Sequence, residues 1–208
     1  MGAYYYFIAQ LPYLVYGQNP PMSSLAFKEF AKASIDKGDA QLLDSISLDP
    51  QPLQPNDEGA VTIAYAEKAP ASGSVFIDNW RDWERTLRLH LAKQRAVKLK
   101  RENTVKVPME LPVFPTDAVA AAAKTISAVE SPLELEILLD KARWSAIEEF
   151  QGTDHFSSNT IFAYFLKLLL LERRALFKTE EGNDEYNSLY ASILEGVQPG
   201  ISPVGESK

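Results

Sequence analysis

The chain has 208 residues and a formal net charge of −7, and its 46% apolar and 24% charged content is that of a globular protein able to build a sizeable core. It has no cysteine, which excludes disulfides, a thiolate nucleophile and a Cys-ligated metal. A cysteine-free chain also fits a reducing compartment.

Taken in order, the N-terminus is apolar from Tyr4 to Tyr16. It lacks a basic leading region and a small-residue cleavage site, so it is read as a packed segment and not as a signal peptide. Tyr4–Gln10 suits a helix or a buried strand, and periodicity does not decide between them. Gly17–Pro21 is a turn. Ser23 or Ser24 then caps a helix with Leu25, Phe27, Phe30, Ala31 and Ile35 as its apolar residues, and Gly38 is expected to end it. Asp39–Leu48 reads as a second short helix. Asp49–Glu58, with three prolines, reads as a loop. Gly59–Ala69 is open between strand and helix.

From Ser74 to Arg101 one strong helix is expected. Phe76, Trp80, Trp83, Leu87 and Leu91 fall at helical spacing on one face. At about 1.5 Å per residue the helix would be roughly 40 Å long, so its basic end is expected to project. Eight basic residues lie between Arg81 and Arg101 against two acids, Asp82 and Glu84. The span is therefore +6 within a chain of −7, which points to an acidic partner or an internal acidic face. Arg81, Arg85, Arg88, Arg95, Lys98, Lys100 and Arg101 are the candidate partner-binding residues.

Glu102–Pro115 reads as a proline-broken linker. Thr116 caps an alanine-rich helix over Asp117–Val129. Ser131-Pro132-Leu133-Glu134 is a capping box with proline at the first helical position. The helix after it runs to about Phe150, with Leu135, Leu138, Leu139, Ala142, Ala146 and Phe150 facing inward, and Gly152 breaks it. The central element follows at Ile161–Phe177. Its run from Ile161 to Leu171 is apolar except for Lys167, too short to span a bilayer and greasy on nearly every side. Such a helix belongs in the middle of a bundle, with Ser157 or Ser158 as its N-cap. Glu180–Asp184 is a turn, Tyr186–Leu194 a last short helix, and Gln198–Lys208 a frayed end.

Chemical equipment is sparse. The two histidines, His90 and His155, do not suffice for a multi-His zinc site, and no nucleophile elbow accompanies either. No Gly-rich phosphate loop is present, so no cofactor is expected. Glu136 and Asp140 lie one helical turn apart, and a carboxylate enzyme would need such a pair. On an amphipathic helix they read as a solvated face, or Asp140 enters an interhelical ion pair with Lys141, Arg143 or Arg173. The basic span also admits a nucleic-acid-binding reading through phosphates.

Several segments together resemble a known family. YYYFIAQLP at 4–12 and PPMS at 20–23 resemble the opening of a bacterial family encoded among the subunits of V/A-type rotary ATPases. WRDWERTLR at 80–88, with later Arg95-Ala96, looks like that family's central helix. Residues 131–150 and 164–177 are similar to the C/d subunit of those ATPases, through Leu139-Asp140, Trp144, Leu168–Leu171, Arg173 and Arg174.

The resemblance implies an all-α bundle: one helical domain over 1–208, with an N-terminal lobe at 1–72, a long helix at 74–101 and a C-terminal lobe at 116–195. It implies a protein without a reaction of its own, in or beside the ATPase. Its partners would be subunits of the rotor ring or central stalk. It would be cytoplasmic and reach the membrane only through the complex. The chain is much shorter than the funnel-like C/d subunit, so a reduced C-like subunit and an accessory or assembly factor both stay open.

Overall fold

A computed structural model describes residues 4–48, 71–100 and 116–176. They form α1 (Tyr5–Ile8), α2 (Ser24–Lys32), α3 (Lys37–Asp44), α4 (Val75–Lys98), α5 (Thr116–Ser127), α6 (Pro132–Gln151) and α7 (Ser158–Ala175). Among the described residues there is no strand, which makes this part of the chain all-α as expected. No helix among them is long and apolar enough to cross a membrane. Packing divides the chain into Met1–Glu172 and Arg173–Lys208, and of the second unit only the end of α7 and Leu176 are described. The expectations for Asp49–Glu58, Gly59–Ala69, Glu102–Pro115, Glu180–Asp184, Tyr186–Leu194 and Gln198–Lys208 lie outside the described residues.

The greasy run becomes the middle of the core, because its side chains leave no polar face to turn toward water. Ile161, Phe162, Ala163, Phe165, Leu166, Leu168, Leu170 and Leu171 of α7 are all buried. Neighbours reach it from four directions. Phe27 of α2 stacks on Tyr164 and Phe165, with ring centroids 5.0 and 6.0 Å away. Phe76 of α4 meets Phe162 at 6.2 Å. The Tyr164 hydroxyl donates to Pro12 O at 2.8 Å, and burial pushes that phenol up to about 12. Lys167, the one polar break, lays its ammonium 4.9 Å over the Trp144 ring of α6 and 3.1 Å from Glu148 Oε1. Its stem covers apolar surface while its charge is paired at the helix edge.

The expected face of α4 is buried throughout: Phe76, Trp80, Trp83, Leu87 and Leu91. Trp80 and Trp83 stack at 5.7 Å. The direction of the neighbouring helices follows from single contacts. Lys98 Nζ donates to Ser127 O, so the ends of α4 and α5 meet. Arg143, eleven residues into α6, pairs with Glu84, fourteen residues back along α4, so α6 returns antiparallel to α4. Gln151 Nε2 donates to Thr160 Oγ1 at 3.4 Å across the turn after Gly152, so α7 in turn runs back along α6. Gly152 has φ +74, the left-handed backbone that lets a helix stop and reverse there.

Local punctuation is mostly as the sequence predicts. The hydroxyls of Ser23, Ser74 and Ser131 accept from the amides of Ala26, Ile77 and Glu134, capping α2, α4 and α6. Ser23 has the shortest of these bonds, 3.1 Å. Ser23→Ala is expected to cost about 1 kcal/mol of stability, read as a lower denaturation midpoint at unchanged m. A loss below experimental scatter would show that the cap is not needed.

Several boundaries differ. Tyr4–Gln10 resolves as the four-residue helix α1, with Tyr4 N donating to Phe156 O and so tying the segment to the turn before α7. Gly38 does not end α2: that helix stops at Lys32, and Gly38 lies inside the first turn of α3. The reason is tertiary, since the Tyr4 hydroxyl lies 2.5 Å from Asp39 Oδ2 and 3.2 Å from Asp36 Oδ2 and holds the reversal earlier. Burial and then the Asp39 hydrogen bond push the Tyr4 phenol well above its ordinary range. α3 ends at Asp44 and not at Leu48. Thr116 is the first residue of α5 and not its cap, and α5 stops at Ser127. Of the apolar residues expected on α2, Phe27 and Ala31 are buried while Leu25 and Phe30 are exposed.

Candidate functional site

Charged side chains gather where α4 crosses α6. Glu84 lies on the apolar face of α4, four residues after Trp80 and three before Leu87. Arg143 lies likewise between Leu139 and Ala146 on α6. A helix face that is otherwise buried carries these charges into the core, where each must find a partner. Arg143 Nη2 donates to Glu84 Oε1 at 2.9 Å and Arg143 Nε to Glu84 Oε2 at 3.1 Å. The pair is thus bidentate, the strongest geometry an arginine and a carboxylate adopt. Arg143 Nη1 also reaches Asp140 Oδ1 at 3.2 Å. Arg88 Nε sits 2.5 Å from Glu84 Oε1, and its Nη2 donates to Leu48 O at 3.0 Å. One turn back, Arg85 pairs with Asp82 at 3.5 Å.

Three carboxylates and three guanidinium groups therefore neutralise one another. Burial works to raise the Glu84 carboxyl, but Arg143 and Arg88 outweigh it and hold it below the usual carboxylate range. Burial works to lower Arg143, but Glu84 and Asp140 overcome it and raise that group further. The sign for stability follows. A carboxylate whose folded-state value is depressed adds stability above its unfolded value and loses it as pH falls through the folded one. Stability is expected to decline from about pH 5 downward, with Glu84→Gln flattening that slope. Asp44, held down chiefly by the hydrogen bond from Lys32, acts in the same direction from the surface. Denaturant titrations at stepped pH check this; an unchanged slope in the Glu84 variant would reject it.

The structure separates the predicted partner-binding residues into two groups. Arg85 and Arg88 belong to the internal network, and Arg81 Nη2 donates to Ser45 O and Ser45 Oγ at 3.3 Å. Arg95, Lys98 and Lys100, with Lys93, are exposed at the far end of α4. Arg101 lies outside the described residues. The basic helix is thus no continuous strip of solvent-facing cations, because its first half is inside the bundle.

The carboxylates also move from their expected setting. Asp140 is 3% exposed and held by Arg143, so it is part of no solvated face. The expected pairing of Asp140 with Arg143 is present, but within α6; across the helices Arg143 pairs with Glu84, which the sequence reading named only as an acid of the basic span. The available signal was a glutamate inside an apolar helix stripe. His90 is half-buried beside Lys93, and burial first and that cation second lower it. His155 is exposed in the turn before α7. Beside α3, Gly38, Asp39, Gln41, Leu42, Ser45, Ser72, Gly73 and Arg81 line a shallow depression of about 550 Å³.

Compared with protein-family models, curated proteins and solved structures, the chain matches none.

Proposed function

We propose that this chain is a non-catalytic subunit or accessory protein of a V/A-type rotary ATPase, working through helical surfaces and without a reaction of its own. The observation that carries the reading is the α6–α7 hairpin. The two segments that resemble the C/d subunit are consecutive antiparallel helices, and Lys167, within the apolar run, lays its ammonium over the Trp144 ring. An internally neutralised charge network supports the same reading, since it spends Glu84, Asp140 and Arg143 on holding helices together. The expected partners are subunits of the rotor ring or central stalk, and contact with the membrane is through them. Nucleic-acid binding is the weaker reading, because Arg81, Arg85 and Arg88 are engaged within the fold.

Affinity purification of the tagged chain from native membranes tests the proposal. V/A-type ATPase subunits are expected among the captured proteins at stoichiometric level. Their repeated absence, with the bait folded, would overturn it.

A further inference from the structure

The closing turn of α4 stands out from the rest of that helix. Val97, Lys98, Leu99 and Lys100 are exposed in succession. Val97 and Lys98 are the last helical residues, and Leu99 and Lys100 follow as the turn that ends α4, so the exposed stretch is the tip of the helix. Leu99 is 67% and Val97 45% exposed. Lys93, Arg95, Lys98 and Lys100 add four cations, and α4 carries no acid after Glu84. Lys98 is tied to Ser127 O, a neutral carbonyl, which fixes the turn against α5 without cancelling the charge.

A helix C-terminus favours cations through its dipole, and that accounts for the lysines. It does not account for two bare aliphatic side chains between them. Nor does it explain Lys100, whose φ of +56 is the left-handed conformation that favours glycine at this position. The backbone closes around it through Leu99 N to Arg95 O and Lys100 N to Val97 O, each 3.0 Å. A lysine where glycine would sit more easily is unexplained by the fold.

We infer that this turn is a basic, aliphatic peg that docks into an acid-lined groove on the partner protein. The inference rests on the ATPase reading above and adds where contact is made. Charge complementarity selects the occupant: four cations need acids, and Val97 and Leu99 need an apolar floor between them. Phosphates of a nucleic acid would match the cations and leave the aliphatic groups unmatched. A flat anionic bilayer would also meet the exposed acids Glu130 and Glu134, which flank the α5–α6 connection beside Ser127. A groove that takes only the tip of α4 avoids them.

The test compares the full-length chain with R95E/K100E, Leu99→Ser and Lys100→Gly. Each is used to capture detergent-solubilised V/A-type ATPase, and thermal midpoints are recorded in parallel. R95E/K100E is expected to weaken capture on the order of tenfold, with wild-type capture falling as salt rises. Leu99→Ser should weaken it at all salt concentrations. Lys100→Gly should raise the thermal midpoint while weakening capture, a pair of changes that a merely structural role does not produce. Equal capture by wild type and R95E/K100E overturns the peg and leaves the ATPase reading standing. No capture by any form overturns the ATPase reading and the peg with it. Binding to phosphatidylserine vesicles or to RNA that R95E/K100E abolishes, with ATPase capture intact, assigns the turn to another partner and overturns the proposal.

Discussion

Arg143→Met is expected to destabilise the protein by about 3–5 kcal/mol, the cost of removing one member of a buried ion pair. The methionine roughly fills the volume, so the loss comes mainly from what remains. Glu84 keeps Arg88 at 2.5 Å but loses both bonds of the bidentate contact, and Asp140 loses its 3.2 Å partner. Arg88 places the expected loss toward the lower end of that range. At about 2–4 °C per kcal/mol, the thermal midpoint should drop by roughly 10 °C. Adding Glu84→Gln is expected to recover part of the loss, because it removes one of the two carboxylates, Glu84 and Asp140, that lost Arg143. Paired denaturation curves of the single and double variants decide the matter. A single-variant loss below about 1 kcal/mol, typical of surface pairs, would mean that the crossing is wetter than the structure has it.

Phe162→Ala should be at least as damaging, at about 3–5 kcal/mol. Phe162 is 1% exposed and meets Phe76 where α7 passes α4, so truncation opens a cavity at the centre. Neighbours on both helices are themselves buried and have little room to collapse into it. Leu25→Ser, at an exposed position of α2, is the matched control and should stay within about 0.5 kcal/mol. Comparable losses in the two variants would contradict the placement of α7 in the core.

Most of the helical skeleton was readable without coordinates. The stripe from Phe76 to Leu91, the serines before α2 and α6, Gly152 and the eleven-residue run in α7 are local signals. Each needs only periodicity, a capping hydroxyl or a backbone preference, and these act over a few residues. What went astray depended on distant partners. Gly38 reads as a helix end until Tyr4 is known to hold Asp36 and Asp39, more than thirty residues away. Asp140 reads as solvated or as paired with a cation, and only the packing of α6 on α4 decides for the pair, with Arg143 shared between Asp140 and Glu84.

The amino-acid order alone determined that helices form here, roughly where they start and stop, and which one is too apolar for any place but the middle. Only the tertiary structure decided which charges belong to the bundle and which face outward. Arg88 and Arg95 are the same residue type two turns apart on one helix, yet one bonds Glu84 and Leu48 O while the other faces solvent. Helix periodicity reports which residues share a face. What covers that face is set by packing between segments far apart in the chain.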